Sequence, residues 1–199
     1  MSAPSNPVLE LFDRTGAYLR SHFRLTSGMH SPEYLQCARV LAHPQYAAEL
    51  GTLLAEAVRS LALGRAPGVV VAPALGGVII GHEVARALGA RFIFTEREAG
   101  GQMTLRRGFA IEPGETAVVI EDVITTGGSS LEVVKILRQA GAQVLAAGSI
   151  IDRSGGQVDL GLPRAALAVL KVVAYQPEQC PLCQQGIPVV KPGSRPAAG

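Results

Sequence analysis

Glu121 and Asp122 stand side by side at the end of an apolar run, and Val123-Ile124-Thr125-Thr126-Gly127-Gly128-Ser129 follows at once. Adjacent carboxylates accept hydrogen bonds from a sugar diol or bind a hard cation such as Mg²⁺. Threonine and serine hydroxyls, set among glycines that let a ligand approach the backbone, make an anion cradle when a helix begins there. A second glycine turn, Ala74-Leu75-Gly76-Gly77, follows another apolar run. Two separate cradles suit a substrate that carries phosphate at both ends. Acids beside a phosphate cradle repel that phosphate unless they hold something else, so the combination implies a ribose 5-phosphate lying across the turn. The bland alternative is an ordinary strand-to-helix turn with solvated acids. No G-x-x-x-x-G-K-[ST] is present, and no G-x-G-x-x-G follows a strand, which argues against Walker and dinucleotide cradles.

The elements that must position these residues alternate along the chain. The spacing of Val8, Leu9, Leu11, Phe12, Tyr18 and Leu19 predicts a helix near the start. Turn residues Ser27-Gly28 and Ser31-Pro32 predict a loop or hairpin over 23–41. Residues 43–63 have the pattern of an amphipathic helix, with Pro44 in its first turn and Gly64 past its end. Strands are then predicted at 68–74, 91–98, 116–122, 143–154 and 166–176. Helices are predicted at 76–90 and 129–142, the second capped by Ser129 or Ser130. Residues 99–115 lack long periodicity and predict a mobile loop with a short strand. This alternation, with continuous apolar strands, predicts an α/β fold: an open, mostly parallel sheet with helices on both faces and right-handed crossovers. Ligands of such sheets sit beyond the carboxyl ends of the strands, where both glycine turns fall. The Pro/Gly-rich stretch from 188 on predicts a poorly ordered tail.

The bulk numbers bound the function. The 199 residues fit one domain with an embellishment, and 48% hydrophobic against 17% charged residues excludes a disordered chain. A net charge of +2 gives no reason to expect nucleic acid or an anionic membrane as partner. No apolar segment reaches membrane-spanning length, and the start has no basic-then-apolar leader. Three cysteines (Cys37, Cys180, Cys183) build no disulfide framework, so the cytoplasm is the expected compartment.

The stretch "VVIEDVITTGGSS" (118–130) resembles, along its whole length, the signature of the type I phosphoribosyltransferases. Three further stretches narrow the resemblance to the orotate phosphoribosyltransferase family: "FRLTSGMHSPEYLQCARV" (23–40), "APALGGVIIGHEVARALG" (72–89) and "SIIDRSGG" (149–156). The closing "CPLCQQGIPVVKPGSR" (180–195) is similar to the tail of a longer bacterial form.

The resemblance implies one phosphoribosyltransferase domain over 1–199. Residues 1–65 would hold N-terminal helices and a hood segment, 66–176 the parallel core, and 177–199 a C-terminal tail completing the hood. It implies transfer of ribose 5-phosphate from 5-phospho-α-D-ribose 1-diphosphate to orotate, in the formation of UMP. Glu121 and Asp122 would hold the ribose hydroxyls, with Val123 to Ser129 around the sugar phosphate. Ala74, Leu75, Gly76 and Gly77 would face the diphosphate, with a strained or cis peptide there. Thr125 and Arg153 would contact orotate, a guanidinium fork suiting a planar carboxylate. The implied cofactor is Mg²⁺, held mainly by substrate, with contact to Asp122 through water as an open alternative; the implied assembly is a homodimer. The family's loop lysines and histidine are missing from "TEREAGGQMTLRRGF" (95–109), where Arg97, Arg106 and Arg107 are the cations; either arginine substitutes on the diphosphate, with Arg97, which aligns with one lysine, as the catalytic candidate, or loop catalysis is weaker. Thr26 stands where the family often has another lysine.

Other residues admit plainer readings. Cys180 and Cys183 have zinc-knuckle spacing, but no second pair follows and His22, His30, His43 and His82 lie far off in sequence. A structural turn is the expected reading there, with a zinc shared across a dimer or a redox pair as alternatives. His82 is expected in the core, and Arg86 solvated or ion-paired. Ser27 and His30 either reach the base or serve the turn. Arg153 either serves the site or neutralises Asp152. Two rivals for the function stay open: a purine or xanthine phosphoribosyltransferase, and a nucleotide-sensing regulator of the same fold.

Overall fold

The apolar β-branched runs become the inner strands of a six-stranded sheet, since such side chains pack well on a pleated surface covered from both sides. The computed structural model describes residues 6–25 and 27–192. In chain order the elements are α1 (Pro7–Arg14), β1 (Tyr18–Arg24), β2 (His30–Leu35), α2 (Cys37–Leu41), α3 (Pro44–Leu61), β3 (Val69–Pro73), α4 (Gly77–Leu88), β4 (Arg91–Arg97), β5 (Met103–Leu105), β6 (Thr116–Ile124), α5 (Gly128–Gln139), β7 (Gln143–Asp152), β8 (Arg164–Val169) and α6 (Pro181–Gln184).

The chain divides into two compact units, one of residues up to Val40 with those from Lys171 onward, the other Leu41–Leu170. In the larger unit the strand order is β5-β4-β3-β6-β7-β8, parallel except for β5, which runs antiparallel to β4. Val69, Val71 and Val119 pack with Val133, Val134 and Leu137 of α5. The opposite face carries α3 and α4, and α4 approaches closely through glycine. A Cβ on Gly81 would fall 3.0 Å from the Ala72 Cβ and 2.6 Å from the Phe92 ring. On β7, a Cβ at Gly148 would strike Val58 of α3 at 2.7 Å. Helix α3, grouped by the sequence with the N-terminal segment, packs on α4, β7 and β8 and so lies with the sheet.

In the smaller unit β1 and β2 form an antiparallel hairpin, as one of the two sequence readings had it. The C-terminal segment is stitched to that hairpin by backbone bonds in both directions. His30 and Tyr175 exchange bonds of 2.9 and 2.8 Å; Arg24 N donates to Val190 O (2.9 Å) and Val190 N to His22 O (2.8 Å).

Several element boundaries differ from expectation. Helix α1 ends at Arg14, where Thr15 Oγ1 turns back to Leu11 O (2.9 Å) and Gly16 takes φ +63°, so Tyr18 and Leu19 belong to β1. Strand β8 stops at Val169, short of the predicted 176, and β6 continues two residues beyond its acids, to Ile124. Helix α5 starts at Gly128 behind a left-handed Gly127, with no serine side chain capping it. Among the described residues no helix is long and apolar enough to cross a membrane. Residues 193–199 of the predicted tail, and Thr26, lie outside the described residues.

Candidate active site

Side chains alternate across a strand, and that alternation separates the two acids. Val119 lies on the α5 face and Glu121 follows it there, where Ser130 Oγ of α5 donates a hydrogen bond to Glu121 Oε2. Asp122 lies on the other face, against the first glycines of α4: a Cβ on Gly76 would sit 2.6 Å from Asp122 Oδ1. The pair is therefore not a pincer on one side of the sheet. One carboxylate attends the turn before α5 and the other the turn before α4.

Enclosure of the carboxyl groups controls their charge. Burial pushes Glu121 from the ordinary 4.5 up to about 7; the Ser130 hydrogen bond opposes this, the Asp122 charge adds to it and Arg97 opposes it. Burial also raises Asp122, against hydrogen bonds from its own N–H and that of Val123. Both acids thus sit where a hydroxyl donor or a cation gains more than it would in water.

Both predicted glycine turns are present, one leading into α4 and one into α5. Thr125 and Thr126 are exposed, and the turn passes through Gly127 (φ +77°) into α5. A Cβ at Gly127 would meet Val158 at 2.5 Å, so glycine is required there twice over. The first N–H groups of α5 lack intrahelical acceptors. Ile124, assigned by the sequence to the substrate cradle, buries its side chain in the core, leaving its backbone alone for that role. At the other cradle the Ala74–Leu75 peptide is cis, as the family resemblance implied; Ala74 N donates to Thr95 O (2.8 Å), and Leu75 is 83% exposed.

Arg153 N donates to Ile124 O (2.8 Å), which places Arg153 beside the end of β6. Neutralising Asp152 is not its role. That carboxylate is fully buried and takes Arg164 Nη1 (2.6 Å), Ser154 N (2.7 Å) and Ser154 Oγ (2.6 Å). Burial acts to raise Asp152, but the Ser154 and Arg164 hydrogen bonds outweigh it and hold the group below the ordinary carboxylate range.

The loop cations are mostly engaged. Arg97 forks onto Glu132 of α5 (2.9 and 2.9 Å) and reaches Gly101 O (2.7 Å), and Arg107 forks onto Glu96 (2.7 and 2.9 Å). Arg106 is exposed. Arg86 pairs with Glu83 (2.7 Å), as expected. His82 is not a core residue: its side chain is 65% exposed, because this turn of α4 faces outward, and it touches the Glu83 carboxylate (3.4 Å) and the Phe92 ring. Ser27 is exposed in the hairpin turn. His30 turns inward to His22 and Cys183, which corrects both readings offered for it. The structural turn expected at Cys180 and Cys183 is present as α6, and it stands against two histidines. The ligand atoms of His22, His30, Cys180 and Cys183 lie within 4.8 Å of one another. Sequence separation hid this cluster; the C-x-x-C spacing was its one local signal.

Comparison with known proteins shows the family and the fold. The phosphoribosyl transferase domain family matches residues 36–161. An orotate phosphoribosyltransferase of Pelotomaculum thermopropionicum is 55% identical over 94% of this chain and 96% of its own length. That of Heliobacterium modesticaldum is 53% identical over 94% and 97%. A crystal structure of orotate phosphoribosyltransferase from Aeropyrum pernix superposes with a TM-score of 0.69 at 26% identity, covering 82% of this chain and 94% of that one.

Proposed function

This chain belongs to the orotate phosphoribosyltransferase family, and from that premise we propose how its residues carry the family's reaction. Ribose 5-phosphate passes from 5-phospho-α-D-ribose 1-diphosphate to N1 of orotate, giving orotidine 5′-monophosphate and diphosphate on the way to UMP. The observation that carries the residue assignment is the divergence of the two acids at the end of β6, each facing one glycine cradle.

The sugar lies over the end of β6. Its 5′-phosphate is received by the N–H groups and hydroxyls from Thr125 to Ser129, with Val123 and Ile124 contributing backbone. Glu121 and Asp122 accept the ribose hydroxyls, and the diphosphate extends over Ala74, Leu75, Gly76 and Gly77. Bare Gly76 leaves room beside Asp122 that any side chain would fill. Arg153 and Thr125 address orotate, the guanidinium meeting its carboxylate. As the anomeric C–O bond breaks the sugar gains positive charge, which the two carboxylates stabilise when ionised.

The residues fit a divalent cation that arrives with substrate. Among the described residues no three carboxylates converge on a point, and Asp122 lies against Gly76, which carries no side chain. A hard cation that keeps several waters suits that arrangement, with Asp122 reaching it through water. Bound Mg²⁺ supplies charge neutralisation to the departing diphosphate. Within the same proposal the enzyme is a cytoplasmic homodimer whose 95–109 loop reaches the neighbouring subunit's diphosphate. Arg106 is the cation best placed for that task, since Arg107 and Arg97 are held by Glu96 and Glu132. Arg97 serves the diphosphate only by leaving Glu132.

A spectrophotometric assay of orotate consumption, with and without Mg²⁺ and against adenine, hypoxanthine and xanthine, tests the reading. Mg²⁺-dependent turnover of orotate alone is expected. Turnover of a purine in its place would overturn the base assignment, and no turnover of any base would favour a nucleotide sensor.

A further inference from the structure

We propose that His22, His30, Cys180 and Cys183 bind one Zn²⁺ ion in a closed tetrahedral site that fastens the C-terminal segment to the β1–β2 hairpin. Cys180 Sγ lies 3.5 Å from His22 Nε2, and Cys183 Sγ lies 3.7 Å from the same nitrogen and 3.3 Å from His30 Nδ1. Zinc at about 2.3 Å from sulfur and about 2.05 Å from nitrogen, with tetrahedral angles, sets a sulfur–nitrogen edge of about 3.6 Å. The three distances straddle that value. The nitrogen–nitrogen edge, 2.9 Å, is shorter than the tetrahedral value of about 3.3 Å, a gap that a small rotation of either ring closes. The remaining two edges are no longer than 4.8 Å.

The surroundings prepare the ligands. His22 Nδ1 lies 2.7 Å from Ile187 O. A carbonyl can only accept, so Nδ1 carries the proton and Nε2 turns a lone pair toward both sulfurs. Cys180 and Cys183 sit at the start and in the third position of one helical turn, closed by Gln184 N to Cys180 O (3.2 Å) and Gly186 N to Cys183 O (3.0 Å). Such a turn points two sulfurs the same way, as zinc knuckles require. His22, His30 and Cys180 are buried. Without a cation, the buried Cys180 thiol and the buried imidazoles satisfy one another poorly.

Two sulfurs and two imidazoles in a tetrahedron select zinc over metals that prefer oxygen or planar ligand sets. Binding releases one proton from each thiol, and the resulting thiolates balance the charge of the ion. All four positions are taken by protein, so no water is left to activate and the role is structural. The ion joins segments 158 residues apart in sequence and reinforces the backbone hydrogen bonds that pair them. The site is independent of the phosphoribosyl chemistry and stands or falls without it.

Elemental analysis of the full chain, purified without chelator and then dialysed, should find one zinc per chain. Replacement by Co²⁺ should give intense visible bands of tetrahedral cobalt and a near-ultraviolet thiolate-to-cobalt band. Cys183→Ser, which alters the exposed ligand and spares the buried ones, should lower retained zinc at least tenfold while far-ultraviolet dichroism stays that of the parent. Protein that holds no zinc even after incubation with it, a weak octahedral cobalt spectrum, a Cys180–Cys183 disulfide in protein prepared anaerobically, or undiminished zinc in Cys183→Ser would each overturn the site.

Discussion

Replacing Glu121 by glutamine should stabilise this protein above neutral pH while damaging its activity. Enclosure raises the Glu121 carboxyl from 4.5 to about 7, and each tenfold change in proton affinity corresponds to about 1.4 kcal/mol. Keeping the carboxylate ionised in the folded state therefore costs roughly 3 kcal/mol. Some solvent reaches the residue, which trims the penalty to about 2 kcal/mol. The folded protein holds this proton more tightly than the unfolded chain does. Stability therefore falls as pH rises from about 4.5 to about 7, and the whole penalty is felt beyond that range. Glutamine is uncharged and still accepts the Ser130 hydrogen bond, so it escapes the penalty. Urea unfolding of parent and variant at pH 5 and pH 8, followed by far-ultraviolet dichroism, should show the variant gaining about 2 kcal/mol more at pH 8 than at pH 5. An equal difference at the two pH values, or a variant weaker at pH 8, would refute the assignment of that penalty to Glu121.

Other perturbations separate the roles of neighbouring groups. Asp122→Asn should lower kcat/KM by roughly 10²- to 10⁴-fold, as charge beside a developing cation is lost; near-parental kinetics would make the acid structural. Gly76→Ala puts a methyl 2.6 Å from Asp122 Oδ1, so the carboxylate must swing away and kcat/KM should fall about 10- to 100-fold with little change in the urea midpoint. Arg153→Ala should raise the orotate KM and leave that for the sugar diphosphate nearly unchanged, as measured by initial rates. Arg164→Ala strands the fully buried Asp152 and should cost about 3–5 kcal/mol in urea unfolding, the loss shrinking as acid protonates the carboxylate.

Much of the sheet was legible because its strands are buried on both faces, so Val69–Val71 and Val118–Ile120 form unbroken apolar runs. The cradles were legible because glycine is dictated locally by left-handed backbone at Gly127 and by close approach at Gly76. Divergence of Glu121 and Asp122 follows from strand period two, but only once β6 is known to extend through both acids. Ser130 looked like a helix cap because its type suits one; a buried carboxylate across the turn competes for its hydroxyl and wins. The outward turn of His82 was hidden because an apolar helix leaves its exposed face ambiguous. No periodicity could disclose the sulfur and imidazole cluster, since its halves meet through a long loop closure.

The stitching of the β1–β2 hairpin to residues 175–190 bears on how the polypeptide emerges from the ribosome. Tyr175 and Val190 are translated long after His22 and His30, so the hairpin waits, its outer backbone groups unmet, while the parallel sheet is synthesised. The earliest-made strands are therefore among the last to be completed, and a nascent chain stalled just after β8 would carry a finished parallel-sheet unit and an unfinished hairpin unit.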